Sequence, residues 1–139
     1  MAKNAVIIGA GNIGRGFIGQ IMYEGGYNVC YVDVSAPVVD ELNRRGEYPL
    51  EIVYSGGSDK KTIKNVSAVN GNDHDAAARA IADCDICVTC VGAKAIKCII
   101  PNFVLGVKLR FKEGKAMKVM IGTLYAECND QIPTRARLE

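Results

Sequence analysis

The chain opens on a short β-branched run, Asn4 to Gly9, that stops at glycine. Beyond it Gly11, Gly14, Gly16 and Gly19 alternate with Phe17, Ile18, Ile21 and Met22. That order reads as strand, tight turn and helix, with Gly25-Gly26 as the helix stop. Tyr27 to Val32, aromatic and β-branched, predicts a second strand ending at Asp33, so the first third of the chain is a β-α-β unit. Ser35 is placed to cap a second helix carrying Val38, Val39 and Leu42 at helical spacing, with Pro37 in its first turn and Gly46 closing it.

From Tyr48 to Val69 the pattern changes to alternation. Leu50, Ile52 and Tyr54 precede Ser55-Gly56-Gly57-Ser58, and Ile63 and Val66 follow, which predicts an antiparallel insertion whose second arm leads into a sheet strand near Val66 to Val69. Asp73 to Ala82 predicts a short alanine-rich helix and Asp85 to Val91 a buried strand ended by Gly92. A further helix runs from about Ala93 toward Leu105, kinked or divided at Pro101, then a loop of basic residues, then a strand from Met117 to Ile121 ending at Gly122. No repeat or flexible linker interrupts this order. Strands alternating with helices predict one α/β domain over residues 1–139, a parallel sheet with helices on both faces and a small antiparallel insertion.

Composition narrows the function classes. At 139 residues and 49% apolar, the chain is sized for one core. Its 17 basic and 15 acidic side chains are scattered, so no face reads as a nucleic-acid footprint. No apolar run approaches the roughly 20 residues that cross a bilayer, and no export signal opens the chain, which predicts a cytoplasmic protein. Without an oxidising compartment the six cysteines are expected as free thiols. Cys84, Cys87 and Cys90 form a C-x-x-C-x-x-C run with Cys98 beyond, similar to an iron–sulfur ligand pattern. On a strand, however, positions three apart point to opposite faces, so these are expected as core cysteines, and no metal site is predicted.

Gly9-Ala10-Gly11-Asn12-Ile13-Gly14 fits G-x-G-x-x-G, a weak pattern alone. Here it follows a strand, opens a helix, and is answered by Asp33 at the end of the next strand, the context of a Rossmann-like dinucleotide site. Gly9 makes the tight turn, Gly11 lets backbone approach a pyrophosphate, and Gly14 lets the helix lie close to the sheet. Asn12 and Ile13 are expected to donate main-chain N–H groups at the positive end of the helix. Asp33 is suited to accept from the adenine-ribose hydroxyls and repel a 2′-phosphate, and Val34-Ser35-Ala36 carries no arginine to grip one, so NAD is the expected cofactor. Val91 and Gly92 end a strand at the same edge and should border it. The plainer alternatives are glycines serving helix packing, an aspartate that starts a turn, and an ordinary strand-to-helix turn at Gly92. Arg15 is placed either to approach the ligand or to stand solvated. His74, among Gly71, Asn72, Asp73 and Asp75, reads as solvated in a loop, and Lys94 as a first-turn residue facing water.

The longer run Gly9-Ala10-Gly11-Asn12-Ile13-Gly14-Arg15-Gly16-Phe17-Ile18-Gly19 resembles the polyol-specific long-chain dehydrogenase family. The likeness continues through Tyr31-Val32-Asp33-Val34, the insertion, and Val88-Thr89-Cys90-Val91-Gly92. The resemblance implies reversible hydride transfer between NAD and a sugar alcohol or its phosphate, with mannitol 1-phosphate and fructose 6-phosphate the nearest pair. Where the family shows a Cys-Glu-Asn type motif this chain reads Ala126-Glu127-Cys128-Asn129, which makes Asn129 the residue nominated to contact substrate. The family's catalytic lysine belongs to a helical second domain with no counterpart in these residues. The chain is therefore expected to be a cofactor-binding fragment without catalytic residues, whose apolar docking surface would favour self-association. Leu138-Glu139 reads either as a cloning scar or as a natural end. The competing reading is a stand-alone NAD(H)-sensing module of the potassium-channel-associated type, against which the insertion and the extended glycine run argue. A flavin site would need more chain to enclose its ring.

Overall fold

The computed structural model describes residues 3–92, 94–116 and 118–122. β1 (Lys3–Ile8) leads through a glycine turn and a π-helical turn (Gly14–Ile18) into α1 (Gly19–Glu24). Then come β2 (Tyr27–Asp33), α2 (Ala36–Arg45), the hairpin β3 (Glu47–Tyr54) and β4 (Gly57–Lys64), and β5 (Val66–Asn70). The order closes with α3 (His74–Asp83), β6 (Ile86–Cys90), α4 (Ile96–Lys112) and β7 (Lys118–Gly122).

Five strands form one parallel sheet in the order β5-β2-β1-β6-β7, and β3 and β4 pair antiparallel beside it. The strand period of two sorts the core onto the sheet's faces. Ala5, Ile7, Val29 and Tyr31 pack with Met22 of α1, Val39 and Leu42 of α2, and Tyr48, Leu50 and Ile63 of the hairpin. Val6, Ile8, Val32 and Cys87 pack with Ala77 and Ile81 of α3 and with Ile99 and Phe103 of α4. Cys87 and Cys90 therefore face opposite ways, Cys90 toward the first cluster. Among the described residues no group of three His, Cys, Asp or Glu converges, and no helix is long and apolar enough to cross a membrane.

The helices show where tertiary contacts override local signals. Gly46 closes α2 in the left-handed region (φ +67°), donating to the Leu42 carbonyl. Ser35 stands at the cap position of α2 without a side-chain cap bond, and its own N–H donates to Asp33. α4 is longer than the sequence predicts: it runs unbroken through Pro101, and the basic residues expected in a loop lie on its last turns. Pro101 is exposed in the second turn, and the stripe Asn102, Gly106 and Arg110, spaced by four, holds α4 against α3. A Cβ on Gly106 would lie 2.5 Å from Ile81 Cγ2, so the small residue sets how closely the helices pack. Arg110 buries its guanidinium on the carbonyls of Ala82, at 2.7 Å, and Cys84, taking up acceptors that the end of α3 leaves open. The outer side of α4 exposes Val104, Leu105, Val107 and Phe111, the last 86% accessible.

The π turn has a cause that the local sequence hides. The Tyr48 hydroxyl, from the hairpin, donates to the Arg15 carbonyl, while the Tyr31 hydroxyl lies 2.7 Å from that of Tyr48 and 3.3 Å from the Gly14 carbonyl. Two hydroxyls thus enter the helix ladder, and Gly19 N–H reaches back five residues to Gly14. Burial pushes both phenols up, so they remain neutral donors at physiological pH. Tyr48→Phe leaves the Arg15 carbonyl and the Tyr31 hydroxyl short of a partner. We expect a loss of about 1–3 kcal/mol in urea unfolding; an unchanged midpoint would show that the turn holds without the hairpin.

Candidate functional site

The chain leaves β1 toward β2 on one side and returns across the sheet through α3 to β6 on the other. The carboxyl ends of β1 and β6 therefore part at a topological switch point, the place where open α/β sheets bind ligands. A cleft of about 500 Å³ opens there, lined among others by Gly9, Asp33, Val34, His74, Val91 and Asn102.

Three glycines of the turn differ in what requires them. Gly9 sits at φ +108°, and a Cβ there would lie 2.6 Å from the Cys90 carbonyl oxygen. A Cβ on Gly14 would lie 2.0 Å from the Gly9 carbonyl oxygen, so helix and turn pack backbone to backbone. Gly11 is exposed, its φ lies outside the left-handed region, and a Cβ there meets nothing within 4 Å. The fold itself has room for a Cβ at Gly11. Arg15 N–H donates to the Gly11 carbonyl at 2.9 Å, closing the first helical turn. The N–H groups of Asn12 and Ile13 precede that bond and have no intrahelical acceptor.

Asp33, half-buried, ends β2 with both carboxylate oxygens engaged. Oδ2 accepts the Ala10 N–H at 2.8 Å and Oδ1 the Ser35 N–H at 2.9 Å. The carboxylate fastens the glycine turn to the end of β2 while organising its own turn, and each oxygen keeps acceptor capacity. Val34 beside it is 65% exposed at the cleft. Arg15 is braced, its Nε donating to the Ala10 carbonyl at 2.6 Å. Arg44 is paired with Glu41 on α2.

Across the cleft Val91 is half-buried, and the exposed Gly92 accepts the Ala95 N–H at 2.9 Å, an ordinary turn in its hydrogen bonding. A Cβ on Gly92 would also meet nothing within 4 Å. Burial pushes the neighbouring Cys90 thiol up to about 11, so it is protonated at neutral pH. Asn129 lies outside the described residues.

His74 departs from the sequence expectation. It is the first residue of α3 rather than part of a loop, and its Nδ1 lies 2.6 Å from Oδ1 of Asn102, whose Nδ2 donates to the Gly71 carbonyl at 2.8 Å. Asn102 is only 6% exposed. The two side chains are 28 residues apart and meet only because α4 packs on α3. The one local signal was an asparagine between Ile100 and Phe103 in an otherwise apolar stretch.

A parallel sheet that splits above a glycine turn, with an acid closing the next strand, defines a Rossmann domain of the dinucleotide-binding class. Comparison with known proteins agrees and is more specific. The family described as mannitol dehydrogenase Rossmann domain matches residues 3–132, and the chain belongs to that family. Among its relatives, a mannitol-1-phosphate 5-dehydrogenase of Brevibacillus brevis is 42% identical over 106 residues, covering 76% of this chain and 27% of the relative. The enzymes of the same name from Lactiplantibacillus plantarum and Ajellomyces capsulatus are 40% and 37% identical, covering 76% and 79% of this chain and 27% and 29% of their own lengths. The chain thus spans little more than a quarter of the curated relatives it matches.

Proposed function

We propose that this chain is the NAD(H)-binding part of a cytoplasmic oxidoreductase that interconverts a sugar alcohol, or its phosphate, and the corresponding ketose, with mannitol 1-phosphate and fructose 6-phosphate as the pair. The observation that carries the reading is Gly11: a glycine that neither backbone angle nor packing requires, at the mouth of the switch point. The missing side chain matches a ligand backed directly against the main chain. Asn12 and Ile13 offer amides there to a pyrophosphate. Asp33, held by Ala10 and Ser35, offers its remaining acceptor sites to the ribose hydroxyls and its charge against a 2′-phosphate. Val91, just past β6, lines the same cleft, and Gly92 follows it in the chain. The family match supports the enzyme over a regulatory module.

The nicotinamide supplies or accepts the hydride when bound. Reduction of a ketose also needs a proton donor within hydrogen-bond reach of the carbonyl. His74, the chain's only histidine, is tied to Asn102, and Lys94 is exposed, so we assign the proton donor to a part of the full-length enzyme beyond these residues. The apolar outer side of α4 is a docking surface for that part and favours self-association without it; light scattering giving a monomer mass at high concentration would remove this element.

The expected result is quenching or enhancement of NADH fluorescence on titration with the chain, a weaker response with NADPH, and no oxidation of NADH when fructose 6-phosphate is added. The coding sequence extended by a downstream domain gains that oxidation. Absence of NADH binding by folded protein overturns the assignment.

A further inference from the structure

We propose that His74, oriented by Asn102, reads the amino edge of the adenine base and gives the cleft its preference for adenine over 6-oxo purines. The inference rests on the dinucleotide reading above and goes beyond it by naming the group that selects the base.

The Gly71 carbonyl can only accept. Asn102 must therefore turn its Nδ2 toward Gly71, at 2.8 Å, which leaves Oδ1 facing His74 Nδ1 at 2.6 Å. An amide oxygen can only accept as well, so Nδ1 carries the proton. In the neutral ring Nε2 is then an acceptor, and it has no hydrogen-bond partner among the described residues. The buried amide thus fixes one tautomer in a ring lining the cleft.

The rest of the cleft suits a flat, largely apolar group with one polar edge. Ile8, Val32, Val34, Val91 and Ile99 supply aliphatic walls beside Asp33, where the adenine-side ribose is placed. Adenine presents an N6 amino donor on its edge, whereas hypoxanthine and guanine present an oxygen acceptor at the same position. An acceptor at Nε2 pairs with the first and faces the second lone pair to lone pair. The hydrogen bond to the buried Asn102 holds the His74 ring in one orientation at the cleft.

The test compares NADH with reduced nicotinamide hypoxanthine dinucleotide. Both carry the same fluorescent nicotinamide, so one readout serves for wild type and His74→Ala. His74 is exposed at the start of α3, and its truncation leaves the buried Asn102–Gly71 bond in place. Wild type is expected to bind NADH about tenfold more tightly than the hypoxanthine form, and His74→Ala to bind the two within about twofold, chiefly by losing affinity for NADH. A wild-type protein indifferent to the base overturns the proposal, as does a His74→Ala protein that keeps the full preference. In either case binding of NADH itself leaves the dinucleotide reading standing. If folded wild type binds neither ligand, that reading fails and this one with it. Equal weakening of both ligands by His74→Ala also overturns base selection, since it marks general support of the cleft.

Discussion

Gly11→Val is expected to weaken NADH binding by about a hundredfold or more while leaving the unfolding midpoint of the chain nearly unchanged. The two effects separate because a Cβ there meets no protein atom within 4 Å and the backbone is not in the left-handed region. The contact it is expected to spoil is the proposed one, with a diphosphate brought up against the turn. On that proposal, loss of the close approach would remove several main-chain hydrogen bonds to a doubly charged diphosphate, each of the charge-assisted kind. The same substitution at Gly9 or Gly14 should act oppositely, through stability, because a Cβ would press on the Cys90 carbonyl oxygen at 2.6 Å or the Gly9 carbonyl oxygen at 2.0 Å. Fluorescence titration paired with thermal melts reads both. A Gly11→Val protein that binds NADH normally would remove the diphosphate from this turn.

Asp33→Ala is expected to lower the NADH-to-NADPH affinity ratio by about tenfold or more and to destabilise the chain by about 1–3 kcal/mol. The first effect follows from removing a negative charge that a 2′-phosphate would have to approach. The second follows from the structure, where the carboxylate holds the N–H groups of Ala10 and Ser35. Asp33→Asn keeps the shape and loses the charge, so it should recover part of the stability without recovering the ratio. An unchanged ratio in both variants would leave Asp33 with its turn-fastening role alone.

The elements were legible because each carries its own period and its own stop. Gly46 in the left-handed region ends α2, the two-residue turn at Ser55 and Gly56 joins β3 to β4, and the unbroken apolar strands lie in the middle of a parallel sheet. What the sequence misplaced depended on partners far along the chain. Pro101 suggested a kink or a division; α4 is not divided, its stripe of Asn102, Gly106 and Arg110 faces α3 past the proline, and Arg110 draws the basic segment into that helix by burying its guanidinium at the end of α3. A local reading sees the proline and the charges and does not see the neighbour.

The same division runs through the site. The glycine turn and Asp33 were readable because a strand, a turn and a helix in sequence must bring the turn to the strand's end. Two features were not readable. The Asp33 carboxylate reaches back to Ala10, so the residue that ends β2 at the cleft also fastens the glycine turn. The His74–Asn102 pair exists only through the packing of two helices, and no spacing announces it.

The tyrosine-propped turn constrains how this chain can vary. A Cβ on Gly19 would stand 2.1 Å from the Tyr31 hydroxyl and 2.5 Å from that of Tyr48, so an alanine there collides with both oxygens at once. Gly19, Tyr31 and Tyr48 belong to three separate elements and yet form one steric unit: enlarging the first is expected to require shortening or deoxygenating the other two. Substitution histories at these positions should therefore be tied together, and grafting the hairpin onto another Rossmann scaffold would require carrying the glycine with it.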